Sequence, residues 1–448
     1  MTQIKNTNQN PTPTKELVIF PAYNMGHSEL FHFIKSLADK ELLERVLIIC
    51  SMDFFASFPI HVPYYIADDF DALPRLVKKI EEWQKRYHFI FKSVLAIDEE
   101  LHFQMSKTIS EYFLLPFYDD YTCYLGSNKY LLKRSFLTYG VPTGDFALIS
   151  HPQNPEIQQV GFPNVLKVIS GTQSEYIFFN ENQAQLIQNF SRLQEAVLAT
   201  GEDPRFRQHS FIHNNEKISF NPREQFLLEA FVPGDEYSCD FIIDGEDIRL
   251  VRVVKKITGP YLGFFSGYQL LNDASLIEYN LDKKKLLDIC RQIKQSLWAK
   301  TGVCMVDFKY HHSQFTVLEA SIRPGLSAFN HLMYEVYGFT SLALAAMQRM
   351  GVHVPLSLPT ETGAIVYLFS PPEHSHAKMD IKELKKQAKK FHIIHIHTYE
   401  EEVGEVKDAE VNRSVLLKGY AVIKTNKLEN LSQLAQEING LVRYKKQL

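Results

Sequence analysis

Cysteine is sparse in this chain, and the features that would define several protein classes are missing. The five cysteines, Cys50, Cys123, Cys239, Cys290 and Cys304, are odd in number, widely separated and set among apolar neighbours. They make neither a disulfide frame nor a zinc knuckle and read as buried thiols in a reducing compartment. No sign of charge dominates: 48 Lys and Arg against 52 Asp and Glu leave a formal charge of -4. With the basic residues spread along the chain, the electrostatic footprint of a nucleic-acid partner is absent. No apolar run reaches the length of a membrane span, so no membrane partner is expected. Residues 1–14 are polar and rich in Asn, Thr and Pro, without the basic start and apolar run of a signal peptide. They are expected to form a disordered lead-in, and the protein to be cytoplasmic. The first strand-to-helix turn carries only Gly26, without the GxGxxG that marks a dinucleotide site. Internal repeats are absent too.

What is present is length for two or three domains and a change of texture along the chain. ELVIFPAYN, RVLIICSM, HVPYYIA and FKSVLAIDE alternate with the helical SELFHFIKSLADKELL and DALPRLVKKIEEWQKRY. That order predicts a parallel sheet with crossover helices, an α/β domain over residues 15–122. A second unit of mixed strands and helices is expected over 123–355. It holds the amphipathic NKYLLKRSFLTYG, the strand pair FPNVLKVISGTQSEYIFF, and apolar alternation broken by turns at Pro233-Gly234 and Asp244-Gly245. The remainder, 356–448, reads as a smaller mixed α/β unit, so the whole chain is α/β with α+β parts.

Two stretches carry chemistry. In VDFKYHHSQFTVLEASIRPG, residues 306–325, the alternation of Phe315, Val317, Glu319, Ser321 and Arg323 has the period of a strand and puts Glu319 and Arg323 on one face. A turn within His311–Gln314 would set Asp307 opposite or nearly opposite Glu319. Two carboxylates at that separation need a cation between them or a shifted pKa; the alternative is a surface hairpin with solvated acids. In the second stretch, Lys167 precedes a loop of Gly171, Thr172, Gln173 and Ser174. Such a loop offers backbone N–H groups and a point charge to a phosphate, or simply satisfies turn geometry. It is not a Walker loop, since the lysine comes before the glycine. Paired acids are what Mg2+ uses to bridge protein to phosphates, so together the two stretches make a nucleoside triphosphate site plausible.

In motif content and motif order, over nearly the whole chain after residue 15, the sequence resembles the ATP-grasp ligases, most nearly the L-amino-acid ligase type. The resemblance implies an ATP-grasp fold: an N-terminal parallel α/β domain, a central ATP-binding domain and a small C-terminal domain. It implies that Lys129 and Lys167 reach ATP phosphates under a flexible loop containing Gly171 and Ser174. LLEAFVPGDEYSCDF resembles the hinge, where Glu229, Ala230, Phe231 and Val232 would meet adenine through backbone groups and Glu236 the ribose. Asp307 and Glu319 would hold one or two Mg2+ ions, for which Mn2+ would substitute. Arg323 would hold the transferred phosphate or the substrate carboxylate, with Lys167 the second catalytic cation. The family motif ends in Glu-x-Asn-x-Arg, and here the asparagine is Ser321, a shorter and poorer metal ligand.

The reaction so implied is ATP-dependent joining of a small-molecule carboxylate to an amine through an acylphosphate, with an amino acid as one substrate. A different acceptor (carboxylation or phosphoryl transfer) and an ATP-binding module without turnover stay open. Arg252 and Lys256, with Lys255 beside them, would point to substrate or lie on a solvated strand edge. Gly325 and His331 are candidates for the substrate pocket, though a lone histidine near an apolar run more often packs. His395 and His397 share a strand face, with His374 and His376 upstream; with no cysteine near, they read as non-metal histidines. Tyr399 and Glu400 to Glu402 read as a solvated turn. The N-terminal sheet and its helices offer a homodimer contact.

Overall fold

Parallel pairing begins where the chain turns apolar without alternation. Strands β1 (Glu16–Pro21), β2 (Val46–Cys50), β3 (Tyr65–Ala67) and β4 (Ile90–Val94) form a parallel sheet in the order β3-β2-β1-β4. The structure is a computed structural model and describes residues 15–22, 25–51, 59–70, 72–96, 101–171, 176–213, 215–259, 265–326, 328–370, 378–399, 416–425 and 430–445. Strands β1 and β2 are buried on both faces, as the centre of a parallel sheet requires. Helix Leu73–Tyr87 covers one face with Leu76, Val77 and Ile80, and helix His27–Ala38 the other with Leu30, Phe33, Ile34 and Leu37. Only the end of HVPYYIA is strand; Pro63, lacking an N–H, precedes the paired residues.

The second unit is antiparallel. Strands β5 (Phe146–Ile149), β6 (Asn164–Val168), β7 (Ile177–Asn180) and β10 (Phe226–Ala230) pair in the order β5-β10-β6-β7. Helix Gln183–Leu198 buries Leu186, Phe190, Leu193 and Val197 against this sheet, and β8 (His209–His213) pairs with β9 (Glu216–Phe220) apart from it. An eight-stranded antiparallel sheet, β15-β14-β11-β12-β13-β16-β19-β18, follows. Its strands are β11 (Asp235–Asp244), β12 (Asp247–Thr258), β13 (Phe265–Leu270), β14 (Thr301–His311), β15 (Gln314–Ser321), β16 (Thr362–Phe369), β18 (Ile393–Thr398) and β19 (Leu417–Thr425). A short pair, β17 (Lys378–Asp380) and β20 (Arg443–Lys445), completes the strands. Because β13 pairs with β16, the main strands of the unit expected from 356 onward extend the central sheet.

Helices Phe329–Tyr337 and Ser341–Arg349 join the first unit to the rest through one continuous apolar core. Polar contacts fix the register: the Thr340 N–H donates to Ser36 Oγ (3.1 Å), Tyr334 Oη to Asp39 Oδ2 (2.6 Å) and Arg45 Nη2 to the Met350 carbonyl (2.7 Å). No helix among the described residues is long and apolar enough to cross a membrane. All five cysteines are free thiols, and four are fully buried.

Candidate active site

The hairpin β14–β15 closes through His312 and Ser313, whose φ values of 46° and 60° are those of a two-residue turn matched to strand twist. The turn brings Asp307 close to Glu319, and a one-residue register shift between Asp307 and Phe308 sets the two directly opposite. Ser321 and Arg323 follow Glu319 at the same period, Ser321 on the strand and Arg323 just past its end. Asp307 Oδ1 and Ser321 Oγ are buried without a hydrogen-bond partner, while Asp307 Oδ2 accepts from Lys256 Nζ at 2.6 Å. Burial pushes the Asp307 carboxyl above the usual carboxylate range, against the pull of Lys256 and with Glu319 and Glu236 adding to the rise. Glu319 goes the other way. Burial favours its neutral form, but Lys129, Lys167, Lys256 and Arg323 together hold its pKa at about 2. An unsatisfied carboxylate oxygen, an ionised carboxylate and an unsatisfied hydroxyl form an all-oxygen donor set that fits a hard divalent cation such as Mg2+.

The opposite wall comes from the four-stranded sheet and helix Lys129–Thr138. Asn128 caps that helix by accepting from the Leu131 N–H, which fixes Lys129 at its first turn. Lys129 Nζ donates to the Gly171 carbonyl (2.8 Å) and lies 3.4 Å from Glu319 Oε2, bridging the segment after β6 to the acid hairpin. Gly171 has φ +140°, a conformation that favours glycine. Ser174 lies outside the described residues. Lys167 on β6 reaches Glu229 Oε2 at 2.5 Å, and Lys133 reaches Glu229 Oε1 at 2.6 Å. Burial lowers the pKa of Lys133 and opposes ionisation of Glu229, yet the two lysines still hold Glu229 below its ordinary value. A cavity lined by Leu125, Lys129, Leu132, Met305 and Glu319 opens beside this wall.

The remaining candidates fall into place around the pair. Glu236 is neutralised by Lys256 (2.9 Å) and Lys309 (3.5 Å), which sets it beside Asp307. In the hinge segment the Ala230 and Phe231 N–H groups are committed to Asp145 O (2.9 Å) and Pro163 O (3.0 Å), so they are not offered to a base. Phe231 is partly exposed and meets Phe179 edge-on at 5.2 Å. Val232 lies just past β10. The strand-edge alternative for Arg252 and Lys256 is wrong, because β12 is interior, between β11 and β13. Arg252 is fully buried and holds Asp240 through two bonds of 2.9 Å, and Asp240 Oδ1 also accepts from the Gly325 N–H at 3.1 Å. A Cβ at Gly325 would sit 2.0 Å from Arg252 Nη2, so only glycine fits. Lys255 points to the other face, toward Asp235 (2.7 Å) and the Tyr279 ring. His331 is buried at 3 % exposure, stacked on His32. His374, His376 and Glu400 to Glu402 lie outside the described residues.

Lys133, Asp240 and His32 escaped the sequence reading. Lys133 had a legible signal, since it lies four residues after Lys129 and therefore on the same helix face. Asp240 and Arg252 face each other only through the β11–β12 register. In all, Lys129, Lys133, Lys167, Lys256 and Arg323 gather around Asp307, Glu319, Glu229 and Glu236, a basic surround suited to a polyanion.

These two antiparallel sheets, joined to a parallel N-terminal sheet, are the ATP-grasp fold, and solved structures bear this out over nearly the full chain. The L-amino acid ligase from Bacillus licheniformis superposes with a TM-score of 0.67 at 12 % identity, covering 98 % of this chain and 100 % of that one. An ADP complex of N5-carboxyaminoimidazole ribonucleotide synthetase gives 0.65 at 14 % identity, covering 95 % and 96 %. The carboxyaminoimidazole ribonucleotide synthase from Aspergillus clavatus, complexed with ATP, gives 0.64 at 11 % identity, covering 96 % and 98 %. No family model and no curated protein sequence matches the chain.

Proposed function

We propose that the protein is an ATP- and Mg2+-dependent ligase that joins a small-molecule carboxylate to an amine, with an amino acid as one of the two. The observation that carries this reading is the facing pair Asp307–Glu319, with Asp307 Oδ1 and the neighbouring Ser321 Oγ unsatisfied, ringed by Lys129, Lys167 and Arg323. The fold shared with the L-amino acid ligase from Bacillus licheniformis supports it.

On this reading Lys129 and Lys167 neutralise the triphosphate from the wall, and Asp307, Glu319 and Ser321 hold Mg2+. The ion would draw charge from the phosphates and align them for in-line transfer. A substrate carboxylate oxygen attacks the γ phosphorus and the bond to ADP breaks, giving an acylphosphate. Arg323 faces the charge developing on the transferred group. The amine then attacks the acyl carbon, the C–O bond breaks, phosphate leaves and the amine gives up a proton. Holding both substrates side by side supplies proximity. Arg252 acts at one remove, through Asp240 and the Gly325 N–H, by positioning the loop that carries Arg323.

Hydroxylamine tests the intermediate. With Mg-ATP and a panel of amino acids, a hydroxamate should form from one carboxylate and vanish in Glu319→Gln; ADP release without hydroxamate from any carboxylate would count against an acylphosphate. A second reading, an ATP-binding module without turnover, is favoured by Ser321 in a metal-ligand place and by Lys256 already on Asp307 Oδ2. It requires nucleotide binding with no ADP release, restored by Ser321→Asn.

A further inference from the structure

Histidines far apart in sequence converge where helix His27–Ala38, helix Phe329–Tyr337 and strand β18 meet. The His32 and His331 rings stack with centroids 3.9 Å apart, and the His395 ring lies 4.4 Å from that of His331. Glu335, one turn along the helix from His331, brings Oε1 to 3.6 Å from His331 Nε2. Among the described residues, His32, His331 and Glu335 each place one donor atom within 4.8 Å of the others. Donors bound to a tetrahedral Zn2+ at about 2.0–2.1 Å stand roughly 3.3 Å apart, so small side-chain rotations would close the set.

Hydrogen bonds already settle which nitrogen of each ring is free, although the rings must turn out of their stack to share an ion. His32 Nδ1 lies 2.7 Å from the Ser28 carbonyl, which can only accept, so the proton sits on Nδ1 and Nε2 keeps its lone pair. His331 Nδ1 lies 3.4 Å from Tyr420 Oη, which is itself 2.8 Å from Ser28 Oγ, and this leaves Nε2 toward Glu335. A ring nitrogen tied to a carbonyl or hydroxyl while the other faces a carboxylate is the outer-shell pattern of metal-bound histidine.

We propose that His32, His331 and Glu335, with a water as the fourth ligand, bind a divalent transition-metal ion of the zinc class. Imidazole and carboxylate donors select such an ion over Mg2+, which prefers oxygen. The ligands come from two parts of the chain, so the ion fastens the N-terminal helix to helix Phe329–Tyr337. That helix begins at Phe329, whose ring lies 4.2 Å from the Arg252 guanidinium that braces the Gly325 loop. The ion is structural and stands apart from the acid pair.

The test uses the tag-free full chain, stripped with a chelator and titrated with Zn2+ and with Co2+, followed by calorimetry, thermal melting and the visible spectrum of Co2+. Expected are one equivalent bound, a four-coordinate Co2+ band, a higher Tm, and no displacement by millimolar Mg2+. His32→Asn and Glu335→Gln should each weaken binding by at least about tenfold. Glu335 has a third of its side chain exposed (34 %), so its variant decides if His32→Asn fails to fold. Absence of saturable binding, or equal affinity in Glu335→Gln, would overturn the proposal and leave surface histidines as the source of any residual uptake. None of these readouts depends on ATP turnover.

Discussion

At the scale of single residues, the acid pair makes opposite demands on its two members. Glu319 stays ionised under its lysines, whereas Asp307 has a folded pKa above its unfolded one. For such a group ionisation opposes folding, so stability is present at acid pH and is lost as pH rises through the raised value. A cation on Oδ1 reverses that loss. Near neutral pH, Mg2+ should therefore raise the Tm of the wild type and leave Asp307→Asn unmoved, as thermal melts across pH will read. Ser321→Ala separates binding from stability in the same way. Removing a buried hydroxyl that has no partner should leave Tm unchanged or slightly higher, while the Mg2+ concentration for half-maximal turnover rises about tenfold.

At the scale of elements, the hairpin and the bracing pair behind it set the geometry. Ser313 holds a positive φ of 60° that glycine adopts without strain, so Ser313→Gly should stabilise the protein by roughly 0.5–1 kcal/mol in urea melts and leave the acid register intact. Arg252→Ala should do the reverse, destabilising by roughly 3–5 kcal/mol because Asp240 is left buried and unpaired. The hairpin was legible in the sequence because a period of two and a short polar turn bring the two acids near each other, although the one-residue shift between Asp307 and Phe308 that sets them face to face is written in neither. The Asp240–Arg252 pair was not. It depends on the pairing of β11 with β12, which shifts register between Asp240 and Phe241, and no local pattern records such a shift. The histidine cluster was hidden for a related reason. His395 and His397 could be placed on one strand face, but their neighbours His32 and His331 arrive from other units.

At the scale of the whole molecule, the first unit and the helices after the active-site loop share one core, with Leu30, Phe33 and Leu37 against Leu342, Ala346 and Met347. Removing residues 1–96 would strip that surface, and the truncated chain should be insoluble or molten, as near-UV dichroism and ANS binding will report. The parallel sheet was readable because its apolar strand runs alternate with amphipathic helices, whereas the region after it was legible only as mixed strands and helices. The continuation of the central sheet into β16 and β19 was not legible, since nothing in a strand's own residues names a partner from another unit. The most direct test of the ligase reading is ADP and phosphate release with Mg-ATP against amino acids, singly and in pairs, beside Glu319→Gln. Release that requires a pair, yields a condensed mass and falls by at least about 100-fold in the variant, roughly 2.7 kcal/mol of transition-state stabilisation, is the expected result. Equal release by Glu319→Gln, or none from any combination while ATP still binds, would contradict it.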